Sequence, residues 1–270
     1  MNSRPPTREF RFLYLAGAVL ALGGAFATYV LTDRTDDYFA WPIAPEITAA
    51  FLGACYISAA ALLYLSSRAK TWVEARIPPA PVFLISVLLL AATLIHWDRF
   101  DQDHVGFWLW LAAYALVPPA LVVLVRGQLR EPGEDPPRAR PLPGWIRAGL
   151  ALQGAVMLAV GAVLYFAPGF AEDFWPWALT DLTSQAVGAF TIGFGVVAAL
   201  AVHENDFDRV RLPAISYAVL SVAVLIAVAR YWDELDHGLA GWVFIGFTVS
   251  ALLVAVASLA LGQGSQPARS

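Results

Sequence analysis

Apolar residues fill eight long stretches of the chain, and polar residues fill the gaps between them. The stretches run over about residues 12–31, 47–66, 80–96, 105–125, 146–167, 182–202, 213–230 and 239–261. A bilayer core takes about 20 apolar residues per helix, range about 17–25, so each stretch predicts one crossing. The runs are long and apolar on every face instead of alternating, which sets a strand barrel aside. The third and seventh are the shortest. Both are predicted to begin beside a proline, Pro81 and Pro213, whose missing N–H suits a first helical turn. Arg4, Arg8 and Arg11, followed by an apolar run holding Ala25-Phe26-Ala27, outline a signal peptide. The run is long for one and has a counterpart later in the chain, so it reads as a retained helix. Pro118-Pro119 is expected to kink the fourth helix and free backbone carbonyls.

The gaps alternate in charge. Fourteen of the 17 basic residues fall on the side of the N-terminal tail, and only Arg34, Arg99 and Arg230 on the other. Thirteen of the 21 acids fall on that other side, which leaves it at −10 against +6. The excess of basic residues predicts that both termini are cytoplasmic. Lys70 is the one lysine in a basic set otherwise made of arginine, a composition typical of a GC-rich bacterium. The expected location is therefore a bacterial cytoplasmic (inner) membrane, crossed many times. With 59% hydrophobic and 14% charged residues, against roughly 25% charged in soluble domains, the partner implied is the lipid bilayer. A net charge of −4 argues against a nucleic-acid partner. Oligomeric state is not encoded in any of these features.

The sequence repeats itself at a shift of 135 residues. Glu46-Ile47-Thr48 meets Asp181-Leu182-Thr183, Gly53-Ala54 meets Gly188-Ala189, and Arg76-Ile77-Pro78 meets Arg211-Leu212-Pro213. Trp97-Asp98 meets Trp232-Asp233, Asp101 meets Asp236, and Gly106 meets Gly241. With small gaps, Asp37-Tyr38-Phe39-Ala40-Trp41-Pro42 matches Asp173-Phe174-Trp175-Pro176, and Gly17…Gly24 matches Gly154…Gly161. The predicted fold is therefore all-α: a polytopic membrane protein with eight transmembrane helices as two parallel four-helix repeats. Residues 1–129 form the first repeat and 145–270 the second. The cytoplasmic linker 130–144, rich in proline and charge, is expected to be disordered or extended. An even number of spans gives both halves the same orientation and a pseudo-two-fold axis along the membrane normal. Small residues such as Gly17, Ala21, Gly24, Gly154, Gly161, Ala189 and Gly193 are expected to bring helices close.

Candidate chemistry gathers on the acidic side. Its residues are Asp37, Trp41, His96, Trp97, Asp98, Asp101, Asp173, Trp175, Trp232, Asp233 and Asp236, the tentative ligand-binding rim. Eight of the ten tryptophans lie there. One reading is structural: tryptophans form an interfacial belt, and Glu46, Asp101, Asp181 and Asp236 serve helix N-termini, with Pro45 or Thr180 at the cap. A second is a rim that receives a cationic or amphipathic ligand by charge and cation–π contacts. A third is a cation site in DRFDQDH (98–104). The calcium-loop pattern there is incomplete, and the second copy keeps a different set, so no metal site is assigned. His96 reads as an interfacial hydrogen-bonding residue; a lone histidine is a poor haem ligand. Cys55 reads as a small buried side chain. The span interiors hold no Asp, Glu, Lys or Arg, and no nucleotide-binding, hydrolase, zincin or C-x-x-C motif occurs. No catalytic residue and no cofactor is assigned.

The four-span unit, with PGFAEDFWPWALTDLT (168–183) after its first helix and a second helix rich in small residues, resembles DoxX-like four-helix units of bacterial integral membrane proteins. That resemblance covers one half at a time and brings no site residue with it. The leading expectation is a non-enzymatic membrane protein that binds a small molecule or a protein partner at its outer face. The alternative is a transporter or channel for a small uncharged or cationic solute, and the third is a membrane-bound enzyme. The topology has a direct check. Single cysteines placed at 103 and 238 should react with an impermeant thiol reagent from outside, and those at 70 and 205 should not; the reverse pattern would invert the orientation.

Overall fold

The eight apolar stretches fold into eight long helices. The computed structural model describes residues 3–171 and 173–264. The helices are α1 (Arg8–Ala25), α2 (Glu46–Ser67), α3 (Pro79–Ile95), α4 (Val105–Arg130), α5 (Gly144–Phe166), α6 (Asp181–Glu204), α7 (Phe207–Arg230) and α8 (Leu239–Gly264). A wider turn of π-helix, Phe26–Val30, prolongs α1. Each is long and apolar enough to cross a membrane, as in a multi-pass membrane protein.

Helix starts follow local capping chemistry. The Thr7 hydroxyl accepts from Phe10 N at the start of α1. At α6, Thr183 N donates to the Thr180 hydroxyl at 3.3 Å and Thr180 N donates to the Thr183 hydroxyl at 2.8 Å, a reciprocal cap. The seventh helix departs from expectation. Asp206 Oδ1 accepts from Asp208 N (3.0 Å) and Arg209 N (3.4 Å), which satisfies donors a first turn would otherwise leave free. The helix therefore begins at Phe207, Pro213 lies inside it, and α7 reaches 24 residues; α3, with 17, is the shortest of the eight. The fourth helix runs unbroken through Pro118-Pro119 for 26 residues. The two prolines remove the N–H groups that would reach the carbonyls of Tyr114 and Ala115, yet the helix continues beyond them.

Packing divides the helices into an inner and an outer set. α2 and α6 are the most enclosed, 78% and 61% buried over their apolar windows, whereas α4 and α8 reach 17% and 22%. α1 packs along α2, and α5 along α6. α2 also packs along α7, and α6 along α3, so the second helix of each half meets the third helix of the other. α4 and α8 lie against α3 and α7. The outer helices turn large apolar side chains outward, among them Phe12, Val123, Leu152 and Leu253.

Glycine sets the closest approaches. A Cβ at Gly53 would stand 2.8 Å from Tyr29 N, and one at Gly188 would stand 2.8 Å from Gly161 O and Tyr165 N. Gly53 and Gly188 stand 135 positions apart, and each meets the helix that precedes its own, α1 or α5. Hydrogen bonds also pair across the halves. The Tyr29 hydroxyl donates to Ala223 O of α7 (2.8 Å), and the Tyr165 hydroxyl donates to Leu88 O of α3 (2.7 Å). Ala223 and Leu88 stand 135 positions apart. At the α2–α7 crossing, Ser58 and Ser216 donate to each other's carbonyls at 2.9 and 3.0 Å.

The arginine-rich end is fastened by ion pairs. Arg76 grips Glu204 with two bonds of 2.6 Å, and Arg209 NH1 reaches the same carboxylate at 3.0 Å. Arg76 also pairs with Asp135 of the linker at 2.7 Å. The segment between α4 and α5 carries no helix and is tied down. Ala139 N and Arg140 N both donate to Asp206 Oδ2 at 2.9 Å, Arg4 N donates to Glu134 O, and Arg140 pairs with Asp208. Charge therefore orders a segment whose proline content alone predicts disorder.

The glycine contacts generate a stability prediction. Gly161→Val and Gly188→Val should each destabilise the protein by about 1–3 kcal/mol, the usual cost of overpacking, and lower the melting temperature in detergent. Gly23→Ala and Gly246→Ala, where a Cβ meets nothing within 4 Å, should leave it unchanged.

Candidate functional site

The acidic end is built largely from turns. Each W-D-x-x-D segment opens with a single 3-10 turn, Trp97–Arg99 or Trp232–Glu234. Asp101 Oδ1 then accepts from Asp103 N, and Asp236 Oδ1 from Gly238 N, both at 3.0 Å. These two carboxylates close turns, while His104 caps α4 by accepting from Gly106 N at 3.2 Å. At the equivalent position a side chain on Gly241 would collide with the Asp236 carbonyl. Asp98 and Asp233 are exposed; among the described residues the one ionic neighbour of Asp98 is Arg99, at 3.9 Å. Asp37 is exposed and pairs with Arg34 at 2.9 Å. Among the described residues no three His, Cys, Asp or Glu side chains come together in a way that holds a metal.

The rim residues do not converge as a set. Asp173, Trp175 and Asp236 share a shallow crevice of about 620 Å³ with Trp177 and Glu234. In the other half, Trp41 packs instead on Phe100 (5.3 Å) and Trp110 (4.8 Å). Trp97 stacks edge-on to Phe107, and Trp232 lies over His237 at 4.9 Å. Eight of the ten tryptophans fall in two groups. Trp108, Trp145, Trp232 and Trp242 are exposed, as a belt requires, whereas Trp41, Trp110, Trp175 and Trp177 are buried in aromatic clusters. Among the described residues the indole N–H groups of Trp41, Trp175 and Trp177 have no acceptor.

His96 and its counterpart Tyr231 take similar places. His96 Nε2 donates to Gln185 Oε1 at 3.1 Å, and Gln185 Nε2 donates to Tyr165 O at 3.2 Å. The Tyr231 hydroxyl bonds Thr32, which donates to Glu46 at 3.3 Å. Burial raises the Tyr231 phenol above its ordinary pKa, opposed by the Thr32 bond and Arg230, so it stays neutral at physiological pH. Glu234 is a residue the sequence did not single out. Its carboxylate accepts from Ile47 N at 2.7 Å and so serves the N-terminus of α2 from the other half.

Sequence reasoning missed two concave features among the helices. A cavity of about 400 Å³ lies among α1–α4, and one of about 480 Å³ among α5–α8. They are lined at matching positions: Val19 and Val156, Phe39 and Phe174, Tyr56 and Thr191, Ser86 and Ser221, Leu109 and Phe244, Ala113 and Thr248. Each also receives a phenylalanine from the other half, Phe190 in the first and Phe51 in the second. Both open on a flank, between outer helices. Val19, Leu20 and Leu109 line the first and are more than half exposed, as are Leu239 and Val243 in the second. Ser86 and Ser221 are 3% and 2% exposed, and among the described residues neither hydroxyl forms a hydrogen bond. The paired serines were a readable signal at the 135-residue shift, although serine in an apolar helix carries little information by itself.

No protein-family model, curated protein or solved structure matches the chain.

The two kinds of carboxylate should respond differently to substitution. Asp98→Asn with Asp233→Asn should leave the melting temperature in detergent unchanged. Glu234→Ala, which strips an acceptor from the α2 N-terminus, should cost about 1 kcal/mol, the typical worth of a cap.

Proposed function

We propose that this chain is a non-enzymatic, multi-pass membrane protein that binds an apolar ligand in two equivalent cavities, each entered sideways from the bilayer. The observation that carries this reading is the pairing of the two flank cavities at positions 135 residues apart, or 137 apart for Val19 and Val156 on the first helices. Pockets of this size, apolar with a few polar groups, suit small-molecule ligands. The pairing also supports an ancestral duplication into two parallel four-helix repeats, as does the reciprocal use of Tyr29 and Tyr165. The proposed setting is a bacterial cytoplasmic membrane with both termini inside, supported by the arginine-rich and acidic ends. The outward apolar faces of α1, α4, α5 and α8 support burial in lipid.

Binding is favoured over passage by the way the halves meet. Ser58 and Ser216 bond directly at the α2–α7 crossing, and Gly193 of α6 lies against Ile85 of α3. Side chains in contact occupy the place where a path between the repeats would run. The acidic crevice at Asp173, Glu234 and Asp236 lies beside the second cavity and shares Asp173 and Trp175 with it. This supports a role for part of the rim at the mouth of that cavity.

The test is equilibrium binding of tritiated 9-heptadecanone to protein in lipid nanodiscs, corrected for uptake by empty nanodiscs. Two molecules per chain are expected. Gly23→Leu, which fills open space in the first cavity, should remove one, and Val160→Phe in the second should remove the other. Uptake equal to that of empty nanodiscs would overturn the reading.

A further inference from the structure

The first cavity differs from the second in its polar groups. Tyr56 and Tyr114 line it, and their hydroxyls bond each other at 2.9 Å. One proton serves that bond. The other phenolic proton has no acceptor among the described residues, since neither hydroxyl makes a further hydrogen bond. Ser86 is a buried residue that lines the same cavity, and among the described residues its hydroxyl is likewise unpartnered. Two O–H donors are thus held in an apolar space without a protein acceptor. An unmade hydrogen bond in such a place is costly, and a ligand acceptor removes the cost.

The depth of these groups is informative. At 1.5 Å rise per residue, Tyr56, Ser86 and Tyr114 each lie about 14–15 Å from the acidic ends of α2, α3 and α4. In a hydrocarbon core about 30 Å thick that is close to the midplane. Phospholipid carbonyls sit at the interface, far from this level. No charged side chain lines the first cavity, so a charged ligand would be buried there without a counter-ion. The second cavity lacks the arrangement. Thr191 replaces Tyr56, Val249 replaces Tyr114, and the hydroxyls of Thr191 and Thr248 are spent on carbonyls of their own helices, at 2.8 and 2.9 Å.

We infer that the first cavity is a selective site for an uncharged, membrane-dissolved molecule whose hydrogen-bond acceptor, a carbonyl or ester oxygen, lies at mid-bilayer depth and is held by the Tyr56–Tyr114 pair and Ser86. The inference rests on the proposed function and adds its ligand class. A phospholipid can lay an acyl chain in the same space, but it brings no acceptor to this level.

The experiment compares 9-heptadecanone with heptadecane, matched chains that differ by one carbonyl, in nanodiscs holding the Val160→Phe protein, where the first cavity is left to act. The ketone should bind about three- to tenfold more tightly, the worth of one or two neutral hydrogen bonds. With a carbon-13 carbonyl, its infrared stretch should fall in frequency on binding. Tyr56→Phe, Tyr114→Phe and Ser86→Ala, on three different helices, should each reduce the preference and the shift while leaving heptadecane binding in place. A variant that unfolds is set aside by its melting temperature, and the others decide. Equal binding of the two probes with an unshifted carbonyl band would overturn this inference and leave the apolar-binding reading standing. Uptake of neither probe above empty nanodiscs would overturn both.

Discussion

Each half of the chain is completed by the other. α2 lies between its own α1 and the α7 of the second half, and α6 lies between α5 and α3. Within apolar surroundings the hydrophobic effect gives helices little reason to associate, so close packing and hydrogen bonds must do it. Glycine admits the first helix of each half onto the second, at Gly53 against Tyr29 and at Gly188 against Gly161. The tyrosines at the ends of those first helices then reach a carbonyl in the third helix of the opposite half. Remove that exchange and α3–α4 and α7–α8 lose the surface they pack on. The flank cavities depend on it too, because Phe190 and Phe51 enter them from the opposite half.

The charged ends perform the same fastening by other means. At the arginine-rich end Glu204 receives Arg76 and Arg209 together, which joins the approach to α3, the end of α6 and the start of α7. A carboxylate this enclosed is stable as an anion only with its partners in place. At the acidic end the carboxylates act singly: Asp101 and Asp236 close turns, and Glu234 serves the α2 N-terminus. The concentration of acids there follows in part from the number of turns and helix starts that need oxygen acceptors. It does not produce a converged ion site among the described residues.

Much of this was legible in the sequence, and the remainder failed for physical reasons. The eight stretches are readable because a helix that crosses a bilayer must be apolar for its whole length. The start of α7 was misplaced because proline is a strong signal, whereas the Asp206 cap seven residues earlier is a quiet one. Tryptophan count identifies an end of the molecule, but which side of a helix each ring faces decides whether Trp41 packs inward or Trp108 faces out. The rim residues were chosen for chemical character, and exposure and spacing separate most of them. The cavities could not be read, since four helices must be placed before a space between them exists. Their one trace in the sequence is Ser86 and Ser221 at the repeat distance.

The differences between the halves carry more functional information than the likenesses. Matching positions such as Gly53 and Gly188, or Trp97 and Trp232, maintain helix contacts and turns that any duplicated bundle of this kind needs. Tyr56 and Tyr114 are such a difference: Thr191 and Val249 stand at the 135-residue shift, while the two tyrosines also pack on neighbouring rings, Tyr56 on Phe190 at 5.1 Å and Tyr114 on Trp110 at 4.4 Å. A tyrosine pair with one idle proton, Tyr56 buried and Tyr114 partly buried, is a liability for stability, and a cheaper alternative stands in the same protein. Under the proposed function, its presence in one cavity alone sets the first cavity apart from the second, which is lined by Asp173 and Ser221 but holds no such pair.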